Sequence, residues 1–230
     1  MLILGIETSG PGGGIALLRD DECLAEATLE SEGKRHAQTL VSQIDELFRE
    51  LGLHVAQLDA LAVSIGPGSF TGLRIGVMCA KTLAYATGSR LAAVDTLEAI
   101  AHNSPWDVSA VHVISDAQRG DVFVGTYRRV SDNDWRREAP ITIENAVQWL
   151  AARHAGEVIS GPALALHCAL VPAQCRPLPE SSWQPTARAI ALIGRRQVER
   201  GQLADCARLE PFYLRRSAAE ERADPIDPAS

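Results

Sequence analysis

The chain has 230 residues, 22 Lys and Arg against 29 Asp and Glu for a formal charge of −7, and 46% hydrophobic, 22% charged and 5% aromatic residues. Such a composition excludes a disordered, collagen-like or coiled-coil chain and suffices for one large domain or two small ones. The acidic balance argues against a protein that grips nucleic acid alone, because phosphate contacts draw on a basic surface, so any such role is expected to be shared with a partner.

Met1 to Glu7 is an apolar run, Ser9-Gly10-Pro11-Gly12-Gly13-Gly14 is dense turn chemistry, and Ile15 to Leu18 is apolar again, which predicts a hairpin. Cys23 to Leu29 alternates as a third, half-exposed strand would. From Arg35 the apolar positions Ala37, Leu40, Val41, Ile44, Leu47, Phe48 and Leu51 follow helical spacing, and Gly52 ends the run. Leu58 to Ile65 reads as a buried strand running into Gly66-Pro67-Gly68-Ser69-Phe70-Thr71-Gly72, which opens a second helix closed by Gly88. Leu91 to Val94 is a further strand, and Asp95-Thr96-Leu97-Glu98 is an Asp-led capping box for a third helix. Three antiparallel strands followed by alternating helices and strands describe a mixed sheet flanked by helices. By analogy this is an α/β chain of ribonuclease H-like, actin-like architecture with two lobes.

Asn103-Ser104-Pro105 breaks the pattern, so residues 1–105 are read as the first lobe, 106–216 as the second and 217–230 as a frayed tail. In the second lobe, Val111 to Ser115 and Val122 to Arg128 flank the turn Asp116 to Asp121 as a hairpin. Ala146 to His154 is a helix and Glu157 to Ser160 a strand, Pro172 to Pro185 is a loop, and Thr186 to Arg200 is an amphipathic helix.

Among chemical motifs, GPGSFTG fits neither the dinucleotide fingerprint nor the P-loop. The six histidines are isolated and the five cysteines scattered, so no metal site is expected, and no Gly-x-Ser-x-Gly elbow supports a serine hydrolase. No catalytic residues are therefore assigned. No membrane span and no secretory signal are visible, and a cytoplasmic location is expected. Glu7 and Asp116, each at a strand end, could face each other across a cleft as a vestigial nucleotide site. Gly72, Gly76, Ala80 and Ala84 recur every fourth residue along the second helix, and two interior glycines cost about 2 kcal/mol of helix propensity. Close backbone approach explains them, either to the sheet of the same chain or to a partner, and the partner is the sharper expectation.

LGIETSG, RHAQTL, LDALAVSIGPGSFTGLRIGVMCAKTLA, VDTLEAIA, DAQRGDVFVGTY and EPFYLR together resemble the TsaB (YeaZ) family. The resemblance implies an actin-like fold and a role in forming N6-threonylcarbamoyladenosine (t6A) in tRNA. It implies a non-catalytic scaffold that pairs with TsaD, is joined by TsaE, and meets tRNA only through the complex. No cofactor of its own is implied, although a nucleotide could sit at the interface of the complex, and a homodimer could reuse the same helices. Carried over, the contact candidates are His36, Leu40, Ile44, Leu47 and Phe48 on the first helix and Phe70, Thr71, Arg74, Ile75 and Met78 on the second. Gly72 and Gly76 are expected to set the approach distance and Arg74 to supply the anchor. Glu7 departs from the commoner Asp of the family. The rival classes are an actin-like phosphotransferase or ATPase and a glycoprotease-like peptidase.

Overall fold

In the computed structural model, residues 1–29, 36–132 and 134–215 are described, with side chains of the second stretch described from Thr39 onward. The expected tail and the side chain of His36 lie outside the described residues. Strands β1 (Leu2–Glu7), β2 (Gly14–Arg19) and β3 (Glu22–Thr28) form an antiparallel meander, followed by helix α1 (His36–Glu50) and strand β4 (Ala60–Gly66). Helix α2 (Phe70–Thr87), strand β5 (Arg90–Asp95) and the short helix α3 (Thr96–Ala101) complete this part. β4 lies parallel to β1, with Ile3 opposite Ala60, and β5 lies parallel to β4, giving the order β3-β2-β1-β4-β5. β1 is central and buried on both faces, which is why it reads as a continuous apolar run without alternation. Ser69 caps α2 by accepting the Gly72 N–H at 3.2 Å, and Gly88, at φ 73°, ends the helix in the left-handed conformation that glycine adopts without steric cost.

The chain continues through β6 (Ala110–Asp116), β7 (Asp121–Ser131), β8 (Asp134–Arg137), β9 (Thr142–Asn145) and α4 (Ala146–Ala151). β10 (Val158–Ser160), α5 (Leu164–His167), β11 (Arg176–Pro177) and α6 (Ala187–Glu199) follow. The second sheet has the order β11-β10-β6-β7-β8, with β9 also paired to β7. β8, β9, α5 and β11 escape the sequence reading because they are two to four residues long and carry little apolar periodicity. β8 is Asp-Trp-Arg-Arg with only Trp135 buried. Among the described residues no helix is long and apolar enough to cross a membrane.

The expected boundary at 105 falls between the two sheets, but residues 106–216 do not all belong to the second lobe. Helix α6 returns to the first sheet, where Ile190 and Ile193 pack with Ile3, Leu18, Ala62 and Ala92 on the face opposite α1 and α2. Its amphipathic pattern matches any sheet face, so periodicity alone does not say which one it covers. The approach is close: a Cβ on Gly194 would overlap the Ala62 methyl. Residues beyond α6 also return, with the Ala204 N–H on Leu91 O at 2.8 Å and Lys81 Nζ donating to Leu209 O at 2.9 Å. The other face of the sheet buries Leu40, Ile44, Leu47 and Phe48 of α1 and Val77 of α2 against Leu4, Ile6, Leu61 and Val63.

Candidate functional site

A cleft of about 690 Å³ separates the lobes. Ser9 and Gly10 of the β1–β2 turn, Pro67 to Thr71, Thr96, Asp116, Gln118 and the stretch Phe212 to Arg215 line it. Glu7 does not. Its side chain is 1% exposed, and its Oε1 accepts hydrogen bonds from the Ser9 N–H and the Ser9 hydroxyl. Oε2 has no hydrogen-bond partner among the described residues, and burial raises the carboxyl above its ordinary range despite the opposing pull of Ser9, Ser64 and Gly10. Asp116 does line the cleft, exposed, with Oδ1 accepting the Gln118 N–H at 2.8 Å. The expected pair of carboxylates facing one another is therefore corrected: the chain turns back at Ser9, and Glu7 fastens that turn from below. Among the described residues no group of three His, Cys, Asp or Glu could hold a metal ion.

The glycines of the β4–α2 segment are explained within the chain. A Cβ at Gly68 would lie 2.6 Å from Ser9 O, one at Gly72 would overlap Thr8 O, and one at Gly76 would overlap Thr8 Oγ1. Ser9 O in turn accepts the Ser69 N–H at 2.7 Å. The small-residue stripe of α2 is thus the seat for the end of β1, and the expectation that Gly72 and Gly76 set the distance to a partner is overturned. Leu40, Ile44, Leu47 and Phe48 are at most 4% exposed and belong to the core, so they cannot offer contact surface in this fold.

Of the remaining contact candidates, Thr71, Arg74 and Met78 are exposed, and Phe70 and Ile75 are half-buried. Arg74 is held in a fixed pose. Its guanidinium carbon lies 4.1 Å from the Phe70 ring centroid, and its Nε donates to the Tyr213 hydroxyl at 2.9 Å. Phe70 and Tyr213 stack with centroids 4.7 Å apart. Val41, Met78 and Tyr85 are 60%, 63% and 89% exposed, an apolar set on α1 and α2 left uncovered by the described residues. Sequence reasoning missed Val41 as a surface residue and missed Tyr85 and Tyr213. The signal for Tyr85 was present, since Thr71, Arg74, Met78 and Tyr85 recur at three, four and seven residues, a stripe separate from that of the glycines.

Elsewhere between the lobes, a second cavity of about 450 Å³ is lined by Asp95, Glu98, Asp134, Arg137, Arg196 and Arg200, among others. Asp95, from the first sheet, accepts the Tyr127 hydroxyl at 2.6 Å and Arg137 at 3.1 Å, both from the second. Asp134 of the second sheet accepts Arg200 at 2.6 Å from the end of α6. The two lobes therefore exchange ion pairs in both directions. Glu98 lies among these charges, and burial, reinforced by Asp95 and Asp134, pushes its carboxyl up to about 7 against the pull of Arg196 and Arg137.

The strand order, the returning α6 and the interlobe cleft define a two-lobed α/β protein of the actin-like, ribonuclease H-like class. Comparison with known proteins sharpens that class. A family model described as TsaD, tRNA N6-adenosine threonylcarbamoyltransferase, matches residues 23–161. The tRNA threonylcarbamoyladenosine biosynthesis protein TsaB of Bacillus subtilis (strain 168) is 38% identical over 128 residues, 56% of this chain and 56% of that protein. The chain thus spans a little over half the length of that relative. Uncharacterized protein Rv3421c of Mycobacterium tuberculosis (strain ATCC 25618 / H37Rv) is 31% identical over 229 residues, 96% of this chain and 95% of the relative. A crystal structure from Pseudomonas aeruginosa, described as a protein with similarity to peptidase YEAZ, superposes with a TM-score of 0.80 at 26% identity, covering 93% of this chain and 99% of that one. The chain belongs to the TsaB (YeaZ) family of tRNA threonylcarbamoyladenosine biosynthesis proteins.

Proposed function

We propose that this chain is the non-catalytic subunit of a tRNA t6A-forming complex and that it pairs with a TsaD-type subunit through the exposed side of α1 and α2. The observation that carries this reading is the exposed set Val41, Met78 and Tyr85 on α1 and α2, together with the pre-ordered Arg74–Phe70–Tyr213 stack at the start of α2. Aromatic, Met and Arg side chains are the ones enriched at interfaces, and an arginine already held in place loses little freedom on binding. Each apolar side chain buried there contributes roughly 1.5–3 kcal/mol before the costs of association. In this reading TsaE joins the pair, tRNA is held by the complex, and the partner supplies the basic surface that a chain of charge −7 lacks. The cleft agrees with a scaffold role: Glu7, the carboxylate that would have faced Asp116, is buried and engaged by Ser9.

Light scattering on the chain mixed with TsaD from the same source, with a threonylcarbamoylation assay on each protein alone and on both, tests the proposal. The expected result is a one-to-one complex with activity only when both chains are present. Separate elution, or ATP or peptide turnover by this chain alone, would overturn it. A homodimer in the absence of TsaD that dissolves on its addition would support reuse of the same face.

A further inference from the structure

The stretch that follows Leu209 spans both lobes. The Phe212 N–H donates to Ile65 O at 2.7 Å at the end of β4, and Gly66 makes room for this crossing, since a Cβ there would lie 2.8 Å from Phe212 O. One residue on, Tyr213 stacks on Phe70 and accepts the Arg74 Nε–H. Two residues further, Arg215 reaches the second lobe. Its Nη1 donates to Ala117 O and to Gln118 O, and its Nη2 lies 3.4 Å from Asp121 Oδ2. The turn it grips is unusual, because Gln118 and Arg119 take φ of 65° and 58°, a left-handed backbone that non-glycine residues rarely adopt. The guanidinium divides its contacts between two nitrogens of one planar group, Nη1 on two successive carbonyls and Nη2 on the Asp121 carboxylate, and the single ammonium of a lysine cannot hold both positions at once.

We infer that residues 210–215 are a strap through which the second lobe sets the shape of the partner-facing surface: Arg215, seated on the β6–β7 turn, is a positioning residue that keeps Tyr213 stacked on Phe70 and bonded to Arg74. The inference rests on the proposed pairing face and adds to it a control point in the other lobe. A chain of three residues leaves little slack between the two grips, so release of Arg215 loosens Tyr213 and frees Arg74 to explore its rotamers before a partner arrives. Ordering it again is a cost that appears in affinity while the folded core stays unchanged.

Hydrogen exchange on the full chain, with Arg215→Ala and Arg215→Lys beside wild type, decides it without any partner. The expected result is a rise of at least five-fold in exchange both in the 116–121 turn and in peptides covering 66–75 and 210–213, with the melting temperature held. Increased exchange confined to the 116–121 turn would overturn the inference. Tyr213→Phe, which keeps the ring and removes the Arg74 bond, should loosen 66–75 and leave 116–121 at wild-type rates; protection unchanged in 66–75 would count against the strap. Where wild type pairs with TsaD, both Arg215 variants should pair about ten-fold more weakly, and equal affinity would refute the coupling. If wild type does not pair, the proposed function fails while the exchange arms still judge the strap.

Discussion

Gly76 and Thr8 touch so closely that no side chain larger than hydrogen fits between them: a Cβ on Gly76 would overlap Thr8 Oγ1 and stand within 3.4 Å of Thr8 Cγ2. Thr8 is fully buried, and its N–H donates to Ser64 Oγ at 3.3 Å, so the strand end cannot retreat. Gly76→Ala should therefore destabilise the chain by about 1–3 kcal/mol, against a helix-propensity gain of about 1 kcal/mol. Thr8→Ala in the same chain should recover most of the loss, since the overlap is with the side chain. Gly72→Ala should not be rescued that way, because its obstacle is the Thr8 carbonyl. Denaturant midpoints of the four variants check this, and a Gly76→Ala protein as stable as wild type would contradict it.

Surface variants should separate pairing from folding. Met78→Ala and Tyr85→Ala remove side chains that are 63% and 89% exposed, so the melting temperature should hold while affinity for a TsaD-type partner falls about ten-fold each. Arg74→Lys should behave like Arg74→Ala, because lysine lacks the planar group that covers Phe70 while donating to Tyr213. Titration calorimetry measures the affinities, and Leu47→Ala serves as a contrast that should lose stability by about 2–5 kcal/mol.

Glu98 should make stability fall as pH rises. Its folded-state carboxyl is raised to about 7 from an ordinary value of 4.5, so the native state holds the proton more tightly than the unfolded chain does. The contribution of the protonated form is fully present below pH 4.5, declines between 4.5 and 7, and is gone above 7. The span corresponds to a few kcal/mol at most. Unfolding free energies measured from pH 5 to 8 should show this decline in wild type and a flatter profile in Glu98→Gln.

Glu7 should matter for folding and not for chemistry. Glu7→Ala strips the Ser9 N–H and hydroxyl of their buried acceptor and should cost about 1–3 kcal/mol. Glu7→Gln retains an oxygen for Ser9 and should cost less. In both variants the t6A activity of the complex, assayed at a temperature where each is folded, should match wild type. A large loss in folded Glu7→Gln would return this carboxylate to the candidate catalytic groups.

Much of the first lobe was legible because its signals are local. The helical spacing of Leu40, Ile44, Leu47 and Phe48, the Ser69 and Asp95 caps and the stop at Gly88 each act within a few residues, and the structure places α1, α2 and α3 accordingly. What was misread at the site shares one cause. Leu40, Ile44, Leu47 and Phe48, contact candidates carried over from the family resemblance, and Gly72 and Gly76, candidates from the small-residue stripe, all turn inward; helical periodicity says only that a face is apolar or small and not whether sheet or partner covers it. The exposed Val41, Met78 and Tyr85 mark the other side, and they emerge once the sheet is in place.

The order of strands and helices in the first lobe is readable from the chain alone, and so, through the IGPGSFTGLRIG segment, is the family it resembles. The order of elements follows from hydrophobic period, capping and turn chemistry, which are properties of neighbouring residues, and the family follows from the resemblance of that segment alone. The packed fold is needed to see that Thr8 fills the glycine stripe, that Glu7 turns inward to Ser9, that α6 crosses back to the first sheet, and that Arg215 reaches Ala117 in the β6–β7 turn across 98 residues of sequence. Each joins groups distant in sequence, and their selection depends on shape and on paired hydrogen-bond partners that no local pattern encodes.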